Sequence, residues 1–302
     1  DSGDHALFVQ CDRNNHIQCC GDPFSSKCST RVWGAGYDYA DRDQYGTYNF
    51  QHRNDTAALP GIRLDHQTGK KTPERGDGVV DESRVLLDER MLETPSIAIQ
   101  SVVSEVCRMG YIVKGTMDKT RRVLFTQDEE TMNEIREEES IADRLCKGIT
   151  DYLIRISSLA INEKEHQHVA SLLQIVSDIE RISDYCENIS EYAENLANQK
   201  KKFSGVGAAE MKEMLEVCSD SFTYAVEAFE ENSAEKALKV IEKERSADDL
   251  EIRLRADHMQ RLANKQCDTE AGIVFLDALV GLERISDHSR NIAEEVLSAS
   301  NK

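Results

Sequence analysis

From Thr94 onward the apolar residues recur at alternating three- and four-residue steps, the spacing of an α-helix that buries one stripe. The clearest run is Leu172, Ile175, Ile179, Ile182, Cys186, Ile189, Ala193 and Leu196. A shift of 103 residues converts it into Phe275, Ala278, Leu282, Ile285, Ser289, Ile292, Val296 and Ala299, and seven of those eight are again apolar. A seam repeated at matched offsets predicts two homologous bundles with coiled-coil-like packing. Breaks in the period divide the chain into six helices. Thr94-Pro95 marks the first start, with Thr as N-cap and Pro at the first helical position, and predicts a helix from Pro95 to about residue 122. Gln127-Asp128 opens a second, to about residue 160; residues 162–167 read as a turn; a third runs from about 168 to 199. The stretch from Lys200-Lys201-Lys202 to Gly205-Val206-Gly207 interrupts the pattern. Three further helices are predicted near 208–231, 233–263 and 269–299. The fold class is therefore all-α: two tandem homologous three-helix bundles, over 86–202 and 203–302, preceded by an unassigned loop-rich segment over 1–80.

That first segment has no helical period. It holds 9 of the 16 glycines, 3 of the 4 prolines and the only Trp, and reads as poorly ordered polypeptide, with a small β-rich or metal-stapled module as the alternative. Cys11, Cys19, Cys20 and Cys28 lack the paired knuckle spacing of a zinc site, and two disulfides among them require an extracellular setting. The polar run over 70–78 reads as a linker. Charge separates the two parts as well: residues 1–80 carry a net of −2, and the rest −17 of the total −19. Such a balance argues against nucleic acid and anionic membrane surfaces as partners and is compatible with cations. No apolar run approaches the ~18 residues of a membrane span. Opening on Asp1, the chain reads as processed or as a fragment.

The candidate chemistry is acidic and duplicated. Glu180-Arg181-Ile182-Ser183-Asp184 returns as Glu283-Arg284-Ile285-Ser286-Asp287. Each copy sets Glu and Asp four apart, on one helical face and about 5–6 Å apart at Cβ. Because Glu180 and Asp184 follow the seam residue Ile179 by one and five positions, the pair is expected on an outer face. A second pair repeats too: Glu139 and Asp143 match Glu244 and Asp248. In an antiparallel helix hairpin, facing positions are equidistant from the turn. Residues 141 and 182 flank the turn signal near Asn162 equally, and residues 246 and 285 flank Asn264–Asp268 equally. Each bundle is therefore expected to gather four carboxylates: Glu139, Asp143, Glu180 and Asp184 in one, Glu244, Asp248, Glu283 and Asp287 in the other. Four clustered carboxylates suit a hard cation or a multinuclear cluster. Arg181 and Arg284 either neutralise them or help to bind an anion such as phosphate. A solvated acidic face is the bland alternative.

The second copy, GLERISDHSRNIAEE over 281–295, resembles the signature of PhoU proteins, which carry a repeated E/D-x-x-x-D motif on two three-helix bundles. The first copy, DIERISDYCENISEY over 178–192, departs from it at Tyr185-Cys186, and the departure implies weaker metal binding in the first bundle. The resemblance covers roughly 86–302. It implies a cytoplasmic, non-enzymatic regulator of phosphate uptake with no catalytic residues, binding metal ions (iron, zinc, manganese or magnesium) through the eight carboxylates named above. Leu87 to Pro95 resembles the junction before the C-terminal PhoU-like domain of sodium/phosphate cotransporters. The implied partner is then a phosphate transporter's membrane domain or subunits, with a homodimer as a further partner and no nucleic acid.

Other readings draw on fewer residues. Glu163-x-x-His166 and Glu165-x-x-His168 have the spacing of di-iron bundle ligands, but they sit at a turn and no second such pair accompanies them. A metal-dependent enzyme of that type, and a ligand-free helical interaction module, are the alternatives in function. His258 and His288 read as surface histidines, and Cys107, Cys146, Cys186, Cys218 and Cys267 as reduced thiols. There is no Gly-rich phosphate loop, no Gly-x-Ser-x-Gly and no evident nucleophile–base pair.

Overall fold

Most helices start where a side chain satisfies a free backbone donor of the first turn, and these starts shift several boundaries. A computed structural model of the chain describes residues 84–300; the expectations for Cys11, Cys19, Cys20, Cys28 and the 70–78 linker lie outside the described residues. α1 spans Pro95–Thr126. Thr94 stands at its N-cap but makes no side-chain cap bond; the entry is set by Pro95 and by a 3-10 turn over Glu89–Glu93 that runs into it. Gln127 ends α1 in the left-handed region (φ 56°), and Asp128 caps α2, Glu129–Ser157, by accepting from the Thr131 N–H at 2.9 Å. α3, Glu163–Asn198, begins five residues earlier than expected. Asn162 and Glu165 form a reciprocal capping box, Glu165 N–H to Asn162 Oδ1 at 3.0 Å and Asn162 N–H to Glu165 Oε2 at 2.9 Å. Glu163 and His166 thus belong to the first turn of a helix. Similarly Gly205-Val206-Gly207 forms the first turn of α4, Gly205–Glu231, because Ser204 Oγ accepts from the Gly207 N–H at 3.1 Å. α5 is Ala234–Ala263 and α6 is Thr269–Ser300. Among the described residues there is no strand.

α1, α2 and α3 pack on one another pairwise, as do α4, α5 and α6, giving two three-helix bundles. The bundles meet through two contacts, α3 on α6 and α1 on α4, so these four helices form an inner layer with α2 and α5 outside. Ser171 meets Glu295, Asp178 meets His288, and a methyl at Gly281 would lie 3.8 Å from the Tyr185 ring. Numbers rise along α3 as they fall along α6, so the two are antiparallel. Gly110 against Val226 and Phe125 under Lys212 show the same for α1 and α4. Residues 180–184 and 283–287 therefore face each other near mid-length of their helices.

One apolar cluster runs through both bundles. All eight α3 seam residues are buried, and on α6 only Ala299 among the eight is not. Each such Leu or Ile contributes about 1.5–3 kcal/mol, so the helices pack without any help from the acidic sites. Ahead of α1, the Leu86 N–H donates to Glu105 Oε1 at 3.0 Å and the Tyr152 hydroxyl to the Asp88 carbonyl at 2.8 Å, tying residues 84–93 to α1 and α2.

Candidate functional site

The repeated carboxylates sit not on a fully outward face but half-buried beside the seam. Glu180, Asp184, Glu283 and Asp287 are all partly covered, and Glu244 is only 3% exposed. Only Asp143 is fully exposed among the eight. The angular argument treated one bundle alone. The second bundle, packed on α3 and α6, covers part of what a lone bundle would expose.

The second set converges in space, and the first is linked through the electrostatics of its carboxyls. In the second repeat Glu244, Asp248 and Asp287 each bring a carboxylate oxygen to within 4.8 Å of the others. Glu283 joins them electrostatically: burial, then Asp287, pushes its carboxyl up, with Asp248 adding to the effect. Burial, then Glu244 and Asp287, does the same to Asp248. In the first repeat the Glu139 carboxyl is pushed up to about 7, by burial first and then by Glu187, Asp184, Asp143 and Glu180. Glu180 and Asp184 are raised chiefly by burial, with Asp143 among the charges that add to it. Carboxyls that are desolvated and crowd one another, as Glu139, Glu180, Asp184, Asp248 and Glu283 are, form sites that a cation would relieve.

The two sets differ in their built-in counter-charge. In the second, Arg290 Nη1 donates to buried Glu244 at 2.8 Å, and Arg284 Nη1 approaches Asp287 at 3.3 Å. In the first, Arg181 reaches Glu180 at only 3.9 Å, and the 103-residue shift puts Glu187 where the second repeat has Arg290. Burial first, then Glu191, raises the Glu187 carboxyl. Repeat one is thus the more acidic of two otherwise matched sites. Continuing the repeat alignment three residues past Asp184 would have exposed the exchange; the charge pair was not read.

Three histidine readings also change. His288 Nδ1–H donates to Asp178 Oδ1 at 2.8 Å across the α3–α6 contact. Asp178 is 2% exposed and also accepts from Asn291 at 3.1 Å and Gln174 at 3.0 Å. His258 is buried and stacked on Phe275, with ring centroids 4.4 Å apart. Neither is a surface histidine, because each faces a helix the single-bundle reading did not place. His166 and His168 gather no carboxylate set, and Glu165 is engaged in the capping box of α3. Cys107, Cys146, Cys186, Cys218 and Cys267 are free.

A duplicated all-α chain with an E-x-x-x-D pair on the third helix of each bundle defines a specific class of protein. The model of the PhoU domain matches it twice, over residues 106–193 and 211–296. The chain belongs to the PhoU family. It is 26% identical over 200 residues to the phosphate-specific transport system accessory protein PhoU homolog 1 of Thermotoga maritima, spanning 64% of this chain and 83% of that protein. A PhoU homolog of Clostridium acetobutylicum is 24% identical over 206 residues, 66% of this chain and 90% of its own. In fold, it matches the crystal structure of PhoU from Pseudomonas aeruginosa with a TM-score of 0.64 at 22% identity, covering 68% of this chain and 98% of that one. PhoU from Streptococcus pneumoniae, described as a phosphate transport system regulatory protein, gives 0.62 at 19% identity. The family consists of accessory and regulatory proteins rather than enzymes, which sets the di-iron enzyme reading aside.

Proposed function

We propose that this chain is a non-enzymatic regulator that restrains phosphate uptake, acting at the cytoplasmic face on a phosphate transporter and holding cations at its two carboxylate sets. The observation that carries the reading is the convergence of Glu244, Asp248 and Asp287 at mid-length of their helices, with the first repeat's carboxyls raising one another, within a PhoU fold. Membership of a family whose named relatives are accessory proteins of phosphate transport supports the transporter as partner. A sodium-coupled carrier is favoured by the Leu87–Pro95 stretch, which leads into α1 and clasps it. Among the described residues no helix is long and apolar enough to cross a membrane, so contact with a carrier would run through the helical surface.

Iron, zinc, manganese or magnesium would be held by Glu139, Asp143, Glu180 and Asp184 in one bundle and Glu244, Asp248, Glu283 and Asp287 in the other. A bound cation would supply positive charge that cancels repulsion between α2 and α3, or between α5 and α6. The protein's own part is to hold the oxygens together at mid-helix and to desolvate them. The charge balance reverses the order expected from Tyr185-Cys186: repeat one, lacking an equivalent of Arg290, has more unneutralised charge and should bind a divalent cation more tightly. The test of function is radiolabelled phosphate uptake in cells with and without the gene, at high external phosphate. Loss of the chain should raise uptake, and Glu180→Gln with Asp184→Asn should raise it in part; uptake unchanged by deletion would contradict the proposal.

A further inference from the structure

At one end of the inner layer all four of its helices leave a cavity of about 340 Å³ between the bundles. Its wall is apolar: Val103 from α1, Leu172 and Ile175 from α3, Phe229 from α4 and Val296 from α6. Neutral polar groups, Gln100, Ser104 and Asn232 among them, share the lining, and its carboxylates are Glu230 and Glu295. Glu295 accepts from the Ser171 hydroxyl at 2.7 Å, and Glu230 accepts from the Tyr111 hydroxyl, which leaves each carboxylate with a second oxygen. Among the described residues no Lys or Arg lines the space. Burial pushes the His168 imidazole down to about 4, so it adds no positive charge near neutral pH. Among the described residues the lining therefore holds two carboxylate side chains and no Lys or Arg.

The repeats diverge at one of the cavity's lining positions. At the opposite end of the inner layer, Phe275 stands where the 103-residue shift places the counterpart of Leu172. Phe203 packs edge-on against that ring at 5.8 Å and His258 of α5 stacks on it, so Phe275 is taken up within its own bundle.

A concave, mostly apolar space of a few hundred Å³ with a small number of convergent polar groups is the usual form of a small-ligand site. We propose that this inter-bundle cavity binds a compact amphipathic cation, an ammonium on an apolar body of roughly six or seven carbons, a size set by the lower end of known ligand-pocket volumes. The apolar body would displace water from Leu172, Ile175 and Phe229, and the ammonium would lie between Glu295 and Glu230. Such a ligand touches both bundles, so it would stiffen the contact between them. The inference stands independently of the carboxylate sets at mid-helix, which share no residue with the cavity.

The test is isothermal titration of the full chain with three probes of one shape: cyclohexylmethylammonium, cyclohexylmethanol and cyclohexanecarboxylate. The ammonium should bind at least about tenfold more tightly than the alcohol, which is about 1.4 kcal/mol, and the carboxylate should not bind. Leu172→Phe, which puts a larger ring into the cavity wall, should abolish ammonium binding. Glu295→Gln, a change at a half-buried rim position that leaves the core intact, should weaken the ammonium about tenfold and leave the alcohol unchanged, in line with the loss of one charge pairing. Equal binding of the three probes, no binding by any, or full ammonium binding by both folded variants would overturn the proposal.

Discussion

Arg290→Ala should destabilise the metal-free protein by about 2 kcal/mol, the largest single effect expected outside the apolar core. Glu244 is 3% exposed and takes its charged hydrogen bond from Arg290 at 2.8 Å. Removing one partner of a buried ion pair strands the other, at a cost of about 3–5 kcal/mol when both are buried. Arg290 itself is 45% exposed at its side chain, so the figure is reduced for solvent screening. Adding Glu244→Gln should recover most of the loss, because an amide does not need the arginine. A saturating divalent cation should recover part of it, since Asp248 and Asp287 stand close enough to share an ion with Glu244. Urea unfolding of the single and double variants measures both effects. A single variant within 0.5 kcal/mol of wild type, the ordinary scatter of surface substitutions, would show that the pair is not holding Glu244 in place.

The second large effect is the dependence of stability on pH and cation. Glu139 is raised to about 7, and Glu180, Asp184, Glu187, Asp248 and Glu283 are also raised. A carboxyl whose folded pKa exceeds its unfolded value binds its proton more tightly when folded. The stability it contributes is complete below the unfolded pKa and is lost as pH rises through the folded one, here up to and just beyond pH 7 for Glu139. His168 and His258 act in the opposite sense. Burial lowers both, so their contribution is complete above the unfolded histidine value and is lost as pH falls below it. The clean readout is therefore a difference between proteins that share those histidines. Glu187→Arg gives repeat one the charge of repeat two. It should raise the metal-free melting temperature by several degrees at pH 8, an effect of about 1–2 kcal/mol, and by much less at pH 5. It should also shrink the rise in melting temperature that a divalent cation produces in wild type. An equal effect of the substitution at both pH values would mean that repulsion within the set is not what limits stability.

The seam and the pairing of acidic motifs were legible because both rest on local rules. A buried stripe repeats every three or four residues whatever surrounds it. An antiparallel hairpin brings equidistant residues together, so Glu139 found Asp184 through the turn near Asn162. The Asn162-x-x-Glu165 box was legible too and was read as turn, which cost α3 its first five residues. What could not be read depends on how one bundle sits on the other. His288 looks like a lone histidine until α3 lies antiparallel to α6 and puts buried Asp178 beside it. The half-burial of Glu180 has the same origin. The exchange of Glu187 for Arg290 was visible in the repeat, but its meaning required knowing that α2 and α5 bring Glu139 and Glu244 within reach of those positions. The cavity between the bundles likewise needs all four inner helices in place before its lining residues meet.

Cation binding by the duplicated carboxylates is the claim on which the proposed function turns, and elemental analysis tests it most directly. The full chain would be purified without chelator, dialysed against iron, manganese, zinc or magnesium, and measured beside two double variants. Wild type should retain metal. Glu180→Gln with Asp184→Asn should remove the larger share, and Glu283→Gln with Asp287→Asn the smaller, both at unchanged helix content. Wild type that purifies without metal and takes up none of the four, while remaining folded, would show that the eight carboxylates are only a solvated acidic face.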